Sequence, residues 1–243
     1  MNLWFLGYPE QAVQQCDQAL TFAQGLSHPF SFAFALCVKV QVHQRRRETT
    51  IVQEQAEALI TLSTEHGFPF RATVGSMLLG WALAERGEGK IGIARIEEGL
   101  ATWQTIGARM LSTWWLGLRA EAYGKIGQVE EALTIVVDAL RAVENTGERF
   151  YEAELYRLKG AFLLQLSADN QREAEACFQH SMTIAQSQGG KAWELRTATS
   201  LARLWQQQGK RQQAHDLLAH VYSWFTEGFE TPDLQEAKAL LDA

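Results

Sequence analysis

The chain has 243 residues, of which 47% are hydrophobic and 21% are charged, and its formal net charge is −6. This balance excludes an intrinsically disordered chain and a collagen-like chain. The net acidic charge and the lack of a Lys/Arg-rich block argue against nucleic acid as a partner, because neutralising phosphates requires clustered positive charge.

Chain breaks recur at almost constant intervals along the sequence. One series consists of Gly25, Gly67, Gly107, Gly147, Gly189 and Gly228. A second series, with the same interval, consists of Gly7, Arg47, Gly87 and Gly127. Two breaks in each period of about 40 residues predict a repeat built from two helices.

The apolar residues between the breaks follow a helical period, and no segment shows the sustained alternation of a strand. In one segment, Leu116, Ala120 and Tyr123 share one helical face. The sequence therefore predicts helices over 9–25, 29–44, 48–66, 69–86, 89–106, 109–126, 129–146, 149–167, 171–188, 192–208, 211–226 and 232–242, and no strands.

Small and large residues alternate around the breaks in a characteristic order, given by Ala120, Tyr123, Gly127, Ala132, Val136 and Ala139. A similar order surrounds Gly209. It resembles the tetratricopeptide repeat, in which a small side chain on one helix faces a large one on the other. The period exceeds the usual length of that repeat, which is about 34 residues. The resemblance implies an all-α fold, a right-handed α-solenoid of about five and a half helix hairpins, forming a single domain over residues 1–243.

A second resemblance lies in the segment that runs from Glu148 through Tyr151 and Tyr156 to Gly160. This segment is similar to the helical-repeat tails of bacterial class III adenylate cyclase fusions with ATPase modules, and to those of large ATP-dependent transcriptional activators. The resemblance implies a regulatory or sensor segment of a signalling protein.

The residues from Met1 to Leu6 are apolar and lead directly into the turn at Gly7. They are typical of the last turn of a helix, which indicates that the chain is the C-terminal part of a longer protein or the product of a truncated gene copy. An uncapped repeat exposes apolar surface. One alternative function is therefore purely structural: this apolar N-terminal end, with Trp4 and Phe5, pairs two copies in a homo-oligomer.

Motifs for catalysis and for cofactors are weak. The glycines of Gly87–Gly92 match a dinucleotide-binding pattern, but they follow a predicted helix instead of a strand, which favours a turn. His215 and His220 are five residues apart, so they do not share a helical face for a metal ion. We therefore predict no enzyme activity, no cofactor and no metal site.

The three cysteines, Cys16, Cys37 and Cys177, are odd in number and far apart, which indicates a reducing compartment. No signal peptide and no membrane span are predicted. These features favour a cytoplasmic protein.

In a tetratricopeptide-like stack the first helix of each repeat lines the concave side. Positions spaced 3, 4 and 3 along these helices predict a groove that binds a protein or peptide, with its contacts at Met77, Trp81, Trp114, Glu121, Glu154, Arg157, Arg196 and Arg203. Aromatic residues beside arginines are typical of binding hot spots. Three alternatives stay open. The tryptophans fill the core, Arg196 and Arg203 pair with Glu154 or Glu194 on neighbouring helices, or Trp81, Trp114 and Arg157 enclose a small molecule that the chain senses.

Overall fold

A computed structural model describes residues 2–108 and 110–242. Within these ranges 81% of the chain is helical and no strand occurs. The described residues form thirteen α-helices: α1 Asn2–Phe5, α2 Pro9–Gly25, α3 Pro29–Arg45, α4 Thr49–Glu65, α5 Pro69–Glu85, α6 Gly89–Thr105, α7 Ser112–Lys125, α8 Val129–Thr146, α9 Glu152–Leu166, α10 Gln171–Ser187, α11 Lys191–Gln207, α12 Arg211–Tyr222 and α13 Pro232–Leu241. A short 3-10 turn over Ala168–Asn170 lies between α9 and α10. The predicted all-α fold is confirmed.

Most helix ends lie within one residue of the predicted ends, with three larger differences. Helix α7 begins at Ser112 instead of residue 109, since Leu111 before it adopts a left-handed conformation with φ of 62°. Arg109 itself lies outside the described residues. Helix α9 begins at Glu152 instead of 149, and α12 ends at Tyr222 instead of 226.

The turns between helices have a more regular spacing than the glycines suggested. In the first part of the chain, residues with positive φ other than Leu111 recur at one constant interval, half of the repeat period, at Gly7, Ser27, Arg47, Gly67, Gly87, Gly107, Gly127 and Gly147. Ser27 therefore holds the turn position predicted for Gly25, which is instead the last residue of α2. The turn interpretation of Gly87 is confirmed, because it joins α5 to α6 with φ of 95°.

The described chain divides into two compact units. The first contains residues 1–4 and 9–110, and the second contains residues 5–8 and 111–243. In the first unit α3 contacts α2, α4 and α5, and α5 contacts α4 and α6; in the second, successive helices from α7 to α13 contact one another. That residues 1–243 form a single domain stays a prediction.

Close helix contacts in the first unit depend on glycine. A Cβ atom added at Gly92 of α6 would lie 2.3 Å from the carbonyl oxygen of Gly80 on α5. A Cβ added at Gly99 of α6 would lie 2.3 Å from Cγ of Met77 on α5. Helices α5 and α6 therefore meet almost backbone to backbone.

The second unit uses the small-against-large pairing expected for tetratricopeptide-like hairpins. Gly117 faces the ring of Tyr151, Gly124 faces Phe162, and Gly160 faces Phe178. In each case an added Cβ would lie less than 3 Å from the aromatic ring. The glycines on α7 and α9 thus provide the space that the aromatic rings occupy.

Candidate functional site

The aromatic residues predicted to line the groove lie in the interior. Met77, Trp81 and Trp114 are each at most 2% exposed. Met77 packs against Gly99, and Trp114 stacks on Trp115 with ring centroids 4.1 Å apart. Buried side chains offer no contact surface, so the structure corrects the prediction for these three residues in favour of the core-filling alternative.

The packing of α5 explains why Met77 and Trp81 are buried. Eleven of its 17 residues are buried, because α4 packs on one side of the helix and α6 on another. A helix that is apolar all round has no free face to present to a partner.

Three predicted residues of the second unit do come together, as an internal ion-pair cluster. Both oxygens of the Glu154 carboxylate accept hydrogen bonds from Arg157, each at 2.8 Å. Arg196 donates to Glu154 at 3.3 Å and to Asp233 at 2.8 Å. Two cations thus meet two anions, and the cluster joins α9, α11 and α13.

Burial lowers the pKa of Arg157 and of Arg196, but their carboxylate neighbours outweigh this effect. The pKa of each guanidinium is therefore raised above its ordinary value, chiefly through Glu154 for Arg157 and through Asp233 for Arg196. Both arginines stay charged. The geometry of the cluster is that of a structural tie between helices.

The remaining predicted residues are more accessible. Glu121 on α7 is half-buried, and Arg203 on α11 forms an ion pair with Glu236 of α13 in which the arginine side chain is 45% exposed. Sequence reasoning missed the acidic residues of α13, because their partners lie far earlier in the chain.

Residues 148–160, which carry the second resemblance, make contacts that connect several helices of the second unit. The hydroxyl of Thr113 on α7 donates to the Glu148 carboxylate at 2.7 Å, and the Trp193 indole N–H donates to the carbonyl of Phe150 at 3.1 Å. Tyr151 is buried beside Trp193, in edge-to-face contact. These residues therefore hold α7, α9 and α11 together within the second unit.

The apolar N-terminal residues are already packed within the chain. Trp4 is buried, and a Cβ atom added at Gly190 would meet the ring of Phe5 at 2.8 Å. A Cβ atom added at Gly7 would lie 2.4 Å from the ring of Trp224. Trp4 is therefore not accessible for pairing two copies, but Leu6 of the same segment is 41% exposed, so pairing through this end stays a prediction. Met1 lies outside the described residues.

An open apolar cleft of about 380 Å³ lies in the first unit, between α2 and α3. Its lining residues are almost all apolar or small; they are Leu3, Ala12, Gln15, Cys16, Ala19, Phe22, Ala23, Leu26, Ser31, Phe34, Ala35 and Val38. Phe22 is 70% exposed, Leu26 53% and Phe34 50%. This is an unusual exposure for large apolar side chains that lie close together.

Aromatic residues extend the cleft toward α5. The guanidinium of Arg71 lies 4.7 Å from the ring centroid of Phe34 and 5.7 Å from that of Phe30, within the range of cation–π attraction. Phe30 is also exposed. We call the cleft together with Phe30 and Arg71 the N-terminal apolar surface. The positional rule that selected Trp114 and Met77 would have found Phe34 had it been continued one repeat earlier.

A second polar group, at the end of α3, stabilises the turn into α4. Nδ1 of His43 lies 2.5 Å from Oε2 of Glu48, and Arg46 donates to Oε1 of Glu48 at 2.7 Å. Burial alone would raise the pKa of Glu48, but these hydrogen bonds outweigh it and lower that pKa from 4.5 to about 2. The charged carboxylate therefore stabilises the fold.

Glu48 should make stability depend on acid pH. Since its folded pKa lies below its unfolded pKa, its contribution is present above pH 4.5 and is lost as the pH falls toward about 2. We expect Glu48→Gln to lower the free energy of unfolding at neutral pH by up to about 3 kcal/mol, and by much less near pH 3. Urea unfolding across this range measures the effect. Glu57→Gln on the exposed face of α4 is the control, and an equal loss at both pH values would contradict the expectation.

Other chemistry-bearing residues form no further site. The three cysteines are buried free thiols, and burial raises the pKa of each. Residues 2–108 and 110–242 hold no group of three or more His, Cys, Asp or Glu side chains suited to a metal ion. None of the helices described combines the length and the apolar character needed to cross a bilayer.

Comparison with known proteins places the fold. No family model matches the chain. An uncharacterized protein of Rhizobium meliloti (strain 1021) is 25% identical over 205 residues, which cover 84% of this chain but only 20% of that protein. The chain thus spans about a fifth of the length of this relative.

Two solved structures are similar in fold. BtubC (BKLC) from P. vanneervenii superimposes with a TM-score of 0.60 at 14% identity, over 97% of this chain and 92% of that one. A kinesin light chain-like protein of Podosopora anserina with nearly identical TPR-like repeats gives a TM-score of 0.50 at 19% identity, over 81% of this chain and 95% of that one. The chain therefore has an all-α fold of tetratricopeptide-like helical repeats.

Proposed function

We propose that this chain is a non-catalytic scaffold that binds a protein or peptide, and that it does so through the N-terminal apolar surface. The observation that carries the proposal is the exposure of Phe22, Leu26 and Phe34 around one cleft. Large aromatic and apolar side chains that gain burial on contact supply most of the binding energy at protein interfaces. Repeat folds of this type generally serve as binding scaffolds.

The proposal includes the role of a regulatory or sensor segment in a cytoplasmic bacterial signalling protein. Its support is the resemblance of residues 148–160 to cyclase-associated repeat tails, together with a relative in which the matching stretch is a fifth of the chain. Binding would be passive: a preformed surface captures a segment of the partner, and the bound partner alters the attached module. Glu121 and Arg203 of the second unit remain proposed separately as charged contacts, whereas Arg157 is already held by Glu154.

The alternative proposal of a small-molecule sensor has less support. It assigns Trp81, Trp114 and Arg157 to the ligand, yet both tryptophans are packed in the interior and Arg157 already binds Glu154. A ligand would have to replace these contacts.

Selection from a displayed peptide library tests the binding function. We expect sequences to be enriched on the immobilised wild-type chain and to be lost when Phe22→Ser and Phe34→Ser are combined. Both side chains are at least half exposed, so the double variant should keep its helical circular dichroism. Gln14→Ser with Gln24→Ser, two exposed positions on α2, is the matched control and should retain the enriched sequences. Enrichment that is absent on the wild type, or equal on the phenylalanine variant, would overturn the proposal.

A further inference from the structure

Arg71 of α5 is a cation in the N-terminal apolar surface that lacks an anionic partner. No ion pair joins it to a carboxylate of residues 2–108 or 110–242, and its Nε atom is buried without a hydrogen-bond acceptor. By contrast, Arg46, Arg157 and Arg196, whose side chains are 8–14% exposed, each pair with a carboxylate. Arg71 is therefore a partly buried positive charge that the described residues leave uncompensated.

The groups that do surround Arg71 are weak hydrogen-bond acceptors. Its guanidinium carbon lies 4.7 Å from the ring centroid of Phe34, 5.1 Å from that of Phe70 and 5.7 Å from that of Phe30. The thiol of Cys37 is also nearby: burial raises the pKa of this thiol, and Arg71 partly opposes that effect. The rings and the thiol hold the guanidinium in place, but none of them carries a negative charge to balance it.

The helices that form this surface bring no free acidic side chain to Arg71. Helix α3 contains no aspartate or glutamate. The one acidic residue of α5, Glu85, lies about four turns, or roughly 21 Å, further along the helix. In α2, Asp17 pairs with Lys39 at 2.6 Å, and Glu10 lies in the first turn, at the opposite end from the turn into α3. The local charge at Arg71 is therefore positive.

We propose that Arg71 is a binding site for a carboxylate, so that the partner segment held by the N-terminal apolar surface carries an aspartate or glutamate beside its large apolar side chains. The inference rests on the proposed binding function and specifies the chemistry of the partner. Carboxylates and guanidinium groups form charge-assisted hydrogen bonds, which strengthen where water is partly excluded. Because Arg71 lies over the ring of Phe34, which lines the cleft, the acidic residue lies close to the apolar residue that enters the cleft.

The number of cations favours a carboxylate over a phosphate. A phosphate group carries nearly two negative charges, and proteins recognise it with clusters of arginines. Residues 48–85 contain no lysine or arginine besides Arg71, and residues 2–38 contain none. One guanidinium therefore matches one acidic side chain of the partner.

Selection from a displayed peptide library on variants of the full chain tests the carboxylate site. The library is selected in parallel on the wild type, on Arg71→Gln and on Arg71→Glu. We expect acidic residues beside large apolar ones on the wild type, no charge preference on Arg71→Gln, and lysine or arginine in place of the acid on Arg71→Glu. Arg86→Gln removes an exposed positive charge just after the end of α5, and as the matched control it should enrich the same acidic sequences as the wild type.

Fluorescence anisotropy measures the size of the effect on a selected peptide. The acidic peptide should bind the wild type about fivefold more tightly than the same peptide with its acid replaced by the corresponding amide. We expect Arg71→Gln to abolish this difference and Arg86→Gln to preserve it. A high salt concentration should reduce the preference for the acid, since salt screens charges near the surface.

Three results would overturn the inference. The first is that peptides selected on the wild type carry no acidic residue. The second is that Arg71→Gln weakens the acidic and the amide peptide equally, which would leave Arg71 a purely structural role. The third is that a phosphoserine peptide binds far more tightly than the acidic one, which would assign the site to phosphate.

Failure of this inference can be distinguished from failure of the proposed function. Peptides that depend on Phe34 but not on Arg71 would leave the binding function intact and show that the carboxylate site is wrong. If no sequence is enriched on the wild type, both are wrong.

Discussion

Replacing Arg196 with methionine is expected to lower the free energy of unfolding by about 3–5 kcal/mol. The guanidinium is 8% exposed and lies between the carboxylates of Glu154 and Asp233. Methionine fills much of the same space, but it removes the positive charge that lies beside the buried carboxylates of Glu154 and Asp233. Urea unfolding followed by far-ultraviolet circular dichroism measures the loss.

Two comparisons separate the ion pairs from lost packing. Arg141→Met removes an exposed ion pair with Asp138 on α8 and should change stability by less than about 1 kcal/mol. Combining Arg196→Met with Asp233→Asn should show a coupling of about 1–3 kcal/mol, because the second change removes one of the uncompensated charges. Strictly additive losses would mean that Arg196 acts through packing alone.

Substituting Gly92 with alanine should destabilise the first unit by about 1–3 kcal/mol. Alanine is about 1 kcal/mol better than glycine within a helix, so intrinsic propensity alone predicts a gain. The added Cβ, however, would lie 2.3 Å from the Gly80 carbonyl oxygen and 2.8 Å from the Ala84 amide nitrogen. These are backbone atoms, so relief requires α5 and α6 to move apart.

Gly25→Ala provides the matched control for Gly92→Ala. Gly25 also lies in a helix, as the last residue of α2, but an added Cβ there would meet no atom within 4 Å. We expect Gly25→Ala to be neutral or slightly stabilising. The midpoints of thermal unfolding are compared for the two variants and the wild type. Equal midpoints for Gly92→Ala and the wild type would show that α5 and α6 move apart without destabilising the fold.

The helix positions could be predicted from the sequence because most of their ends are marked by glycine at nearly constant spacing. Ser27 shows the limit of this approach. A left-handed conformation costs an L-residue about 1–2 kcal/mol, so glycine is the residue expected at such a turn. The turn was therefore predicted at the neighbouring Gly25, whereas Ser27 adopts the left-handed conformation.

The groove residues could not be predicted by position alone. Repeat phase gives the side of a first helix on which a residue lies, but not whether another helix covers that side. For α5 the composition itself indicates that the helix is covered on all sides, since only Arg71 and Glu85 are charged within its 17 residues. A helix without a polar face is buried, and Trp81 is buried with it.

The sequence predicted three of the four members of the ion-pair cluster. Glu154, Arg157 and Arg196 were predicted to share a surface, and they do meet. Asp233 was missed because an intervening helix, α12, and a turn separate it from α11. Pairs between distant helices depend on three-dimensional packing and leave no periodic signal along the chain.

The constant interval between left-handed turns gives helices α2 to α6 the same length of 17 residues, so helix length does not distinguish first helices from second helices there. Loss or gain of one interval would exchange the two roles for every helix that follows, and would place an all-apolar helix such as α5 where an amphipathic one is needed. Loss or gain of two intervals would leave every later helix in its own role. Length variation in this part of the fold is therefore restricted to whole hairpins, and the unit that natural variants can share, duplicate or delete is the pair of helices.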